Sequence, residues 1–147
     1  PGQQLYRIIP RTILSALTGK GMNLHGGGKS ERSFIYIKDV ADATLDLALN
    51  ASPGTSWHIS TNESISIRNL VQKICKKVNV EFDQIVNIDK DRLGKDLNYL
   101  LDSSSLRKEF NWNDQYSLDQ GLDLTLSWLK INLDELKEKP WDYIHKL

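Results

Sequence analysis

The stretch 23–43, NLHGGGKSERSFIYIKDVADA, decides how this chain is read. A short apolar run, Met22 to His25, leads into three glycines, and the glycines lead into an aromatic and β-branched run, Arg32 to Ile37 (RSFIYI). That run reads as a strand. Beyond it, Val40, Ala43, Leu47 and Ala48 recur at helical spacing, and Asp39 is placed to cap that helix. Gly26-Gly27-Gly28-Lys29-Ser30 looks like a phosphate loop. Such a loop needs a glycine, four residues, then Gly-Lys-Ser/Thr, set between a strand and a helix. Here Asn23 stands where the first glycine belongs, and a strand pattern follows Ser30, so no helix N-terminus is offered to a phosphate. The glycines are expected instead to turn the chain tightly between two strands, supplying positive φ at low cost.

Working outward, Pro10 lies where a helix starts, with Ile9, Ile13, Leu14 and Leu17 on one face and Gly19 as its stop. Downstream, Ser56 to Ser60 (SWHIS) reads as a short strand. Ser66 is placed to cap an amphipathic helix whose apolar stripe is Ile67, Leu70, Val71, Ile74, Cys75 and Val78, with Lys73, Lys76 and Lys77 toward water. A strand is predicted over Gln84 to Ile88, then a polar loop from Asp89 to Asn98, then a short helix over Ser104 to Phe110. Ser117 and Gln120 form a capping box ahead of Leu118, Leu122, Leu126 and Leu129. Strands alternating with helices argue for an α/β or α+β mixture, with strands too few and short for a complete doubly wound sheet. Residues 1–133 are taken as one body and 134–147 as a charged tail.

Composition narrows the function classes. The 147 residues are 39% hydrophobic and 26% charged, as in an ordinary globular domain. Lys plus Arg and Asp plus Glu number 19 each, so no global field recruits nucleic acid or an anionic membrane, and anion binding must come from local placement of a few cations. No apolar run approaches the roughly 18–20 residues of a membrane span, and no secretory signal is visible at the start. Cys75 is the single cysteine, which excludes a disulfide framework and fits a reducing cytoplasm. The chain opens on Pro1 and its one methionine is Met22, so we expect a piece of something longer.

Three arginines carry the candidate chemistry. Arg32 follows the glycine turn at the head of the apolar run, and guanidinium binds phosphate bidentately. The competing reading is a surface ion pair with Glu31 or Asp39. Arg92, in the polar loop, and Arg7 are open to the same two readings. His25, His58 and His145 lie on separate elements without acidic or thiol partners at metal-ligand spacing, so no metal site is expected. Cys75 falls on an apolar helical stripe, as a structural thiol does. No nucleophile elbow and no local Ser/His/Asp set appear. We therefore expect no catalytic residue, cofactor-binding residue or metal ligand in this chain.

Several stretches, taken in order as far as Leu129, resemble the C-terminal half of the extended short-chain dehydrogenases/reductases that modify sugar nucleotides, the NAD-dependent epimerase/dehydratase family. Pro1-Gly2-Gln3 looks like the end of that family's Tyr-Gly-Pro turn, and Ile8-Ile9-Pro10 like its Leu-Ile-Pro helix start. Leu24-His25-Gly26 resembles its Ile-Tyr-Gly segment. Arg32 to Ala43 follows its Arg-Asp-Phe/Trp strand and Asp-Val-Ala helix start. Asp91-Arg92-Leu93-Gly94-Lys95-Asp96, followed by Tyr99, Asp102, Glu109 and Trp112, is similar to the spacing of the 4,6-dehydratase branch.

The resemblance implies an α/β fold that is the α+β-like C-terminal portion of an extended Rossmann enzyme. It implies that Arg32 and Arg92 grip a nucleotide diphosphate, with Lys95 where the family has His and Arg7 at a substrate-contacting Lys. Asn23, Leu24 and His25 would line the nucleoside pocket, and Ser66 would stand at an Asn near the nucleotide. The implied partner is a dTDP- or other nucleoside-diphosphate sugar, with no nucleic acid or membrane partner. The implied whole is a cytoplasmic homodimer whose NAD is bound by a preceding half that carries the Gly-rich turn and the Tyr-x-x-x-Lys pair. This chain alone is expected to be inactive. The departures are Tyr6 for an acidic residue, Leu93 for Pro, Ser66 for Asn and Asn23-Leu24-His25 for Pro-Ile-Tyr. The alternatives are a 4-epimerase or decarboxylase on the same scaffold, and a non-catalytic sugar-nucleotide-binding or assembly module.

Overall fold

A computed structural model describes residues 1–91, 94 and 96–143. Its elements run α1 (Ile8–Thr18), β1 (Met22–His25), a single 3-10 turn over Gly26–Gly28, β2 (Glu31–Arg32), α2 (Ile37–Asn50), β3 (Ile65–Ser66), α3 (Ile67–Val78), α4 (Phe82–Ile85), β4 (Val86–Asp89), β5 (Asn98–Tyr99), α5 (Ser104–Glu109), α6 (Leu118–Ile131) and α7 (Leu133–Leu136). This is a mixed α/β body with few, short strands, as the sequence pattern predicts.

The core is built on two helices with two apolar faces each. α1 ends where Gly19 takes the left-handed conformation (φ 71°). α3 begins where the Ser66 hydroxyl accepts the N–H of Asn69 at 3.2 Å, the cap expected of it. Ile13 and Leu14 of α1 meet Leu70 and Ile74 of α3 and Leu122, Leu126 and Leu129 of α6, with Leu136 and Trp141 closing the cluster. On the other side, Ala16, Val71 and Cys75 meet Met22 and Leu24 of β1 and Ile85 and Val86. The body is thus layered: α6, then the α1–α3 pair, then a β1–β4 ladder. Each fully buried Leu or Ile contributes about 1.5–3 kcal/mol of transfer free energy. The Cys75 thiol lies buried in the second cluster, and burial pushes it up from its ordinary value, as befits a packing residue.

Two small sheets stand end to end. β1 pairs in parallel with β4, from Met22↔Val86 to His25↔Asp89. β2 pairs antiparallel with β3 and in parallel with β5, with Glu31↔Asn98 and Arg32↔Tyr99. Two chain segments therefore run side by side twice: β1 to β2 through residues 26–30, and β4 to β5 through residues 90–97.

The structure corrects several local expectations. Of RSFIYI only Arg32 is in a strand. The rest packs by side chains rather than by a ladder: Phe34 lies against the first core cluster, and Tyr36 lies 4.8 Å from Tyr116, against Gly121 of α6. Ser56 to Ser60 joins no ladder among the described residues. The strand expected over Gln84 to Ile88 begins at Val86, because Glu81 and Gln84 close a capping box around the helical turn of α4. Asp39 is not the cap of α2. Tyr36 holds that position, and the Asp39 carboxylate turns inward. Lys73 and Lys77 do not simply face water but pair with Asp119 and Asp123 of α6. α2 is lightly seated: only Asp39 and Ala43 of its 14 residues are buried.

Candidate functional site

β1 and β4 end at the same edge, and ligands of α/β sheets bind beyond the carboxyl ends of parallel strands. Met22 and Leu24 point into the core, so by alternation Asn23 and His25 share the other face of β1. Asn23 is exposed opposite Asn87, whereas the Leu24 side chain is only 4% exposed, leaving its backbone as the part available to a ligand. His25 ends the ladder, its Nδ1 3.4 Å from Asp89 Oδ2.

Beyond that edge the two crossovers interlock. Gly26, Gly27 and Gly28 all take positive φ, near 59°, 63° and 71°. A Cβ on Gly26 would overlap the Asp91 carboxylate, and one on Gly28 would come within 2.7 Å of the Arg68 backbone nitrogen at the start of α3. The glycine turn is thus pressed between the second crossover and α3. Sequence reading places Asp91 in a motif but gives it no role, although a glycine at Gly26 is the available signal that something sits close.

Arg32 closes the far end. Its Nη1 donates to the carbonyl of Glu31 at 2.6 Å and to that of Leu97 at 3.2 Å, and its Nη2 donates to the carbonyl of Asp96 at 2.9 Å. The Leu97 carbonyl also accepts the N–H of Glu31 at 2.7 Å. Neither surface ion pair weighed for Arg32 is formed: Glu31 Oε2 accepts from Ser64, and Asp39 is engaged elsewhere. Three of the five guanidinium N–H groups are committed to carbonyls, and two remain. Ser66 adjoins this centre through the Glu31↔Ser66 pairing, with its hydroxyl capping α3.

The structure therefore brings Asn23, His25, Arg32 and Ser66 to one region around the paired crossovers. Arg92 and Lys95 lie outside the described residues. Arg7 keeps different company: it occupies the N-cap position of α1, with its guanidinium 5.3 Å over the Tyr6 ring, which in turn meets Tyr143 edge-on. The segment 89–96 carries three carboxylates (Asp89, Asp91, Asp96) and three cations (Lys90, Arg92, Lys95). The segment is therefore formally neutral.

A cavity of about 370 Å³ lies elsewhere, between the first three residues, Phe34 to Ile37 and α6. Its walls are Ile9, Phe34, Leu118 and Trp128, with hydroxyls from Ser117 and Thr125 and no charged side chain. That lining does not suit a diphosphate. Among the described residues there is no group of three metal-ligating side chains, and no helix is long and apolar enough to cross a membrane.

Comparison with known proteins adds a frame. The family model described as GDP-mannose 4,6 dehydratase matches residues 2–125. The dTDP-glucose 4,6-dehydratase of Escherichia coli is 26% identical over 145 residues, covering 92% of this chain and 38% of that protein. The crystal structure of dTDP-glucose 4,6-dehydratase from Bacillus anthracis in complex with NAD superposes with a TM-score of 0.84 at 25% identity, over 91% of this chain and 42% of that one. The Bordetella bronchiseptica enzyme WbmF in complex with NAD+ and UDP gives 0.73 at 30% identity, over 90% and 38%. The chain thus spans about two fifths of the length of the proteins it is similar to.

Proposed function

Since the matched family model covers most of its length, this chain belongs to the family described as GDP-mannose 4,6 dehydratase, and on that premise we propose that it is the sugar-nucleotide-binding portion of an NAD-dependent nucleotide-sugar 4,6-dehydratase. The observation that carries the reading is the pair of interlocked crossovers beyond the carboxyl ends of β1 and β4, with Arg32 at their junction. The nucleoside end of the ligand lies along Asn23 and His25, and the diphosphate lies toward Arg32, with Arg92 and Lys95 of the second crossover as its further cations. Ser66 borders the nucleotide, and Arg7 contacts the sugar side. Likeness to a dehydratase named for dTDP-glucose and to an enzyme with UDP bound supports a nucleoside diphosphate as the ligand class.

NAD supplies hydride acceptance and return in this reading, but the described residues offer no seat for it. The glycine turn Gly26–Gly28 runs into β2 rather than into a helix N-terminus, so it does not fit a dinucleotide pyrophosphate. The cofactor and the proton-transfer residues belong to the remainder of a family-length protein, and the chain alone is inactive. What these residues do is bind and orient. Fixed donors at the diphosphate hold the sugar at one distance and angle, which is how remote binding energy serves a reaction elsewhere on the substrate.

Calorimetric titration with dTDP, UDP and GDP tests the reading, with inorganic diphosphate as the control. Nucleoside diphosphates are expected to bind and inorganic diphosphate to bind more weakly, with Arg92→Ala reducing affinity by roughly tenfold for the loss of one charge-assisted contact. Absence of binding by all three nucleotides sinks the proposal.

A further inference from the structure

The segment that follows α6 lies beyond residue 125, where the matched family model ends, and it folds back onto the body. Trp141 is only 5% exposed, and its Nε1 donates to the carbonyl of Leu136 at 3.0 Å. Two cations lie over its ring, Arg11 at 5.3 Å and Lys20 at 4.8 Å. One residue on, Asp142 Oδ1 lies 3.4 Å from Arg11 Nη1. One residue further, the Tyr143 ring meets that of Tyr6 edge-on, with centroids 5.0 Å apart and planes at 70°. Lys20 lies just past the end of α1 and Tyr6 just before its start. Residues 141–143 therefore run along α1 in the opposite direction to the helix.

We propose that residues 141–143 are a strap that fixes the Tyr6–Arg7 pair at the start of α1, with Tyr143 as a positioning residue for Arg7. Three observations carry the inference. The pair has little support from the chain before it: residues 1–4 are exposed, and Leu5 borders an open cleft of about 290 Å³ shared with Leu136 and Lys139. Among the described residues the Arg7 guanidinium takes no hydrogen bond and no ion pair, so the Tyr6 ring at 5.3 Å is what restrains it, and Tyr143 is what lies against that ring. The strap itself is anchored, because Arg11 Nη1 is buried without a hydrogen bond and its charge is met by Asp142 and the Trp141 face. Five guanidinium donors are thus held in one place yet uncommitted. Such a cation meets a ligand without being ordered at that moment. The inference rests on the sugar-nucleotide reading for what Arg7 meets, but the strap is a property of the ligand-free protein.

Two measurements test it, each on the full chain as wild type, Tyr143→Ala and Tyr143→Phe. Tyr143 is 58% exposed, so neither substitution opens the core. In the ligand-free protein the NMR shift of the Arg7 Cδ protons is followed, with the amides of Leu70 to Cys75 in α3 as the reference for intact packing. The Tyr6 ring current is expected to displace the Arg7 resonance in wild type and in Tyr143→Phe, which keeps the edge contact. In Tyr143→Ala it is expected to return to the position of an unrestrained arginine. A resonance that stays displaced in Tyr143→Ala overturns the inference. Calorimetric titration then compares dTDP-glucose with dTDP, which lacks the sugar. Tyr143→Ala is expected to weaken dTDP-glucose by about fivefold, the order of the cost of immobilising one long side chain on binding. Binding of dTDP stays as in wild type, and Tyr143→Phe binds both ligands as wild type does. Equal losses for the two ligands, or no loss for either, overturn the positioning role. A wild type that binds neither ligand defeats the proposed function, and the Arg7 resonance alone then decides whether the strap holds the pair.

Discussion

The Asp39 carboxylate accepts the backbone N–H of Gln115 at 3.0 Å and that of Tyr116 at 3.2 Å, joining the first turn of α2 to the approach to α6. Asp39 is only 2% exposed, and α2 has few other buried contacts, so this clamp is the main tie between that helix and the body. Asp39→Ala leaves two N–H groups without their acceptor and is expected to cost about 3 kcal/mol. Asp39→Asn keeps one acceptor oxygen and should cost about half as much. Urea unfolding of the two variants measures both, and a loss below about 1 kcal/mol for Asp39→Ala refutes the clamp.

Asp114 contributes to stability that acid removes. Burial pushes its carboxyl up, but hydrogen bonds from Arg107 and Thr61 and the Arg107 charge outweigh it, leaving the group below its ordinary 3.8. A carboxyl depressed in the folded state adds stability above the unfolded value and loses it as pH falls through the folded one. Arg107 Nη2 lies 2.8 Å from Asp114 Oδ1 and also donates to the Ser60 carbonyl at 3.0 Å, so the pair fastens α5 to two loops. Asp114→Asn is therefore expected to be less stable than wild type at neutral pH. The gap closes as pH falls below the ordinary carboxyl value. Thermal melts across that range check it; a gap that persists at the acid end contradicts the assignment.

Which parts of this were legible in sequence follows from how local the signal is. The Ser66 cap, the Ser117–Gln120 box and the α3 stripe are read from residues within a turn or two of one another, and all three are present. Asp39 reads locally as the cap of α2 and is not, because its partners lie 76 and 77 positions away, where no local rule points. RSFIYI carries strand propensity, yet a strand exists only where a neighbour completes its ladder, and Phe34 and Tyr36 are claimed by helix packing instead. At the candidate site, the cations were visible as residue types. The Arg32 hydrogen bonds to Asp96 and Leu97 were not, since they join a side chain to backbone oxygens 64 and 65 residues away.

Lys77 joins α3 to α6 by bridging two carboxylates, at 3.2 Å from Asp119 and 2.7 Å from Asp123, while Lys73 reaches Asp119 at 2.7 Å. Hydrogen bonding to Asp123 and Asp119 raises the Lys77 ammonium above its ordinary value. Hydrogen bonds from Lys73 and Lys77 hold Asp119 below its own. The carboxylates are largely exposed, so water and salt screen the ladder. Lys77→Met, which keeps an apolar stem, is expected to cost about 0.5–1 kcal/mol at low salt and to approach neutrality near 1 M NaCl. A loss that does not diminish with salt would mean that the exposed charge pairs are not its source.

Gly27 and Gly28 separate two costs that a glycine run usually confounds. Both take positive φ, 63° and 71°, so an alanine at either meets the left-handed penalty of about 1–2 kcal/mol. Around Gly27 nothing lies within 4 Å of an added Cβ, and that penalty is the whole expected effect. At Gly28 the added carbon would stand 2.7 Å from the Arg68 nitrogen and 3.0 Å from Leu24 Cδ2. The first neighbour is backbone at the start of α3 and the second belongs to a core side chain, so neither yields without moving the layer beneath it. Gly28→Ala should therefore cost at least about 2 kcal/mol more than Gly27→Ala, with the excess coming from overpacking. Denaturant midpoints for the two variants decide. Equal losses would mean that the turn does not rest on α3, and that the edge holding Asn23, His25 and Arg32 is set by β1 pairing alone.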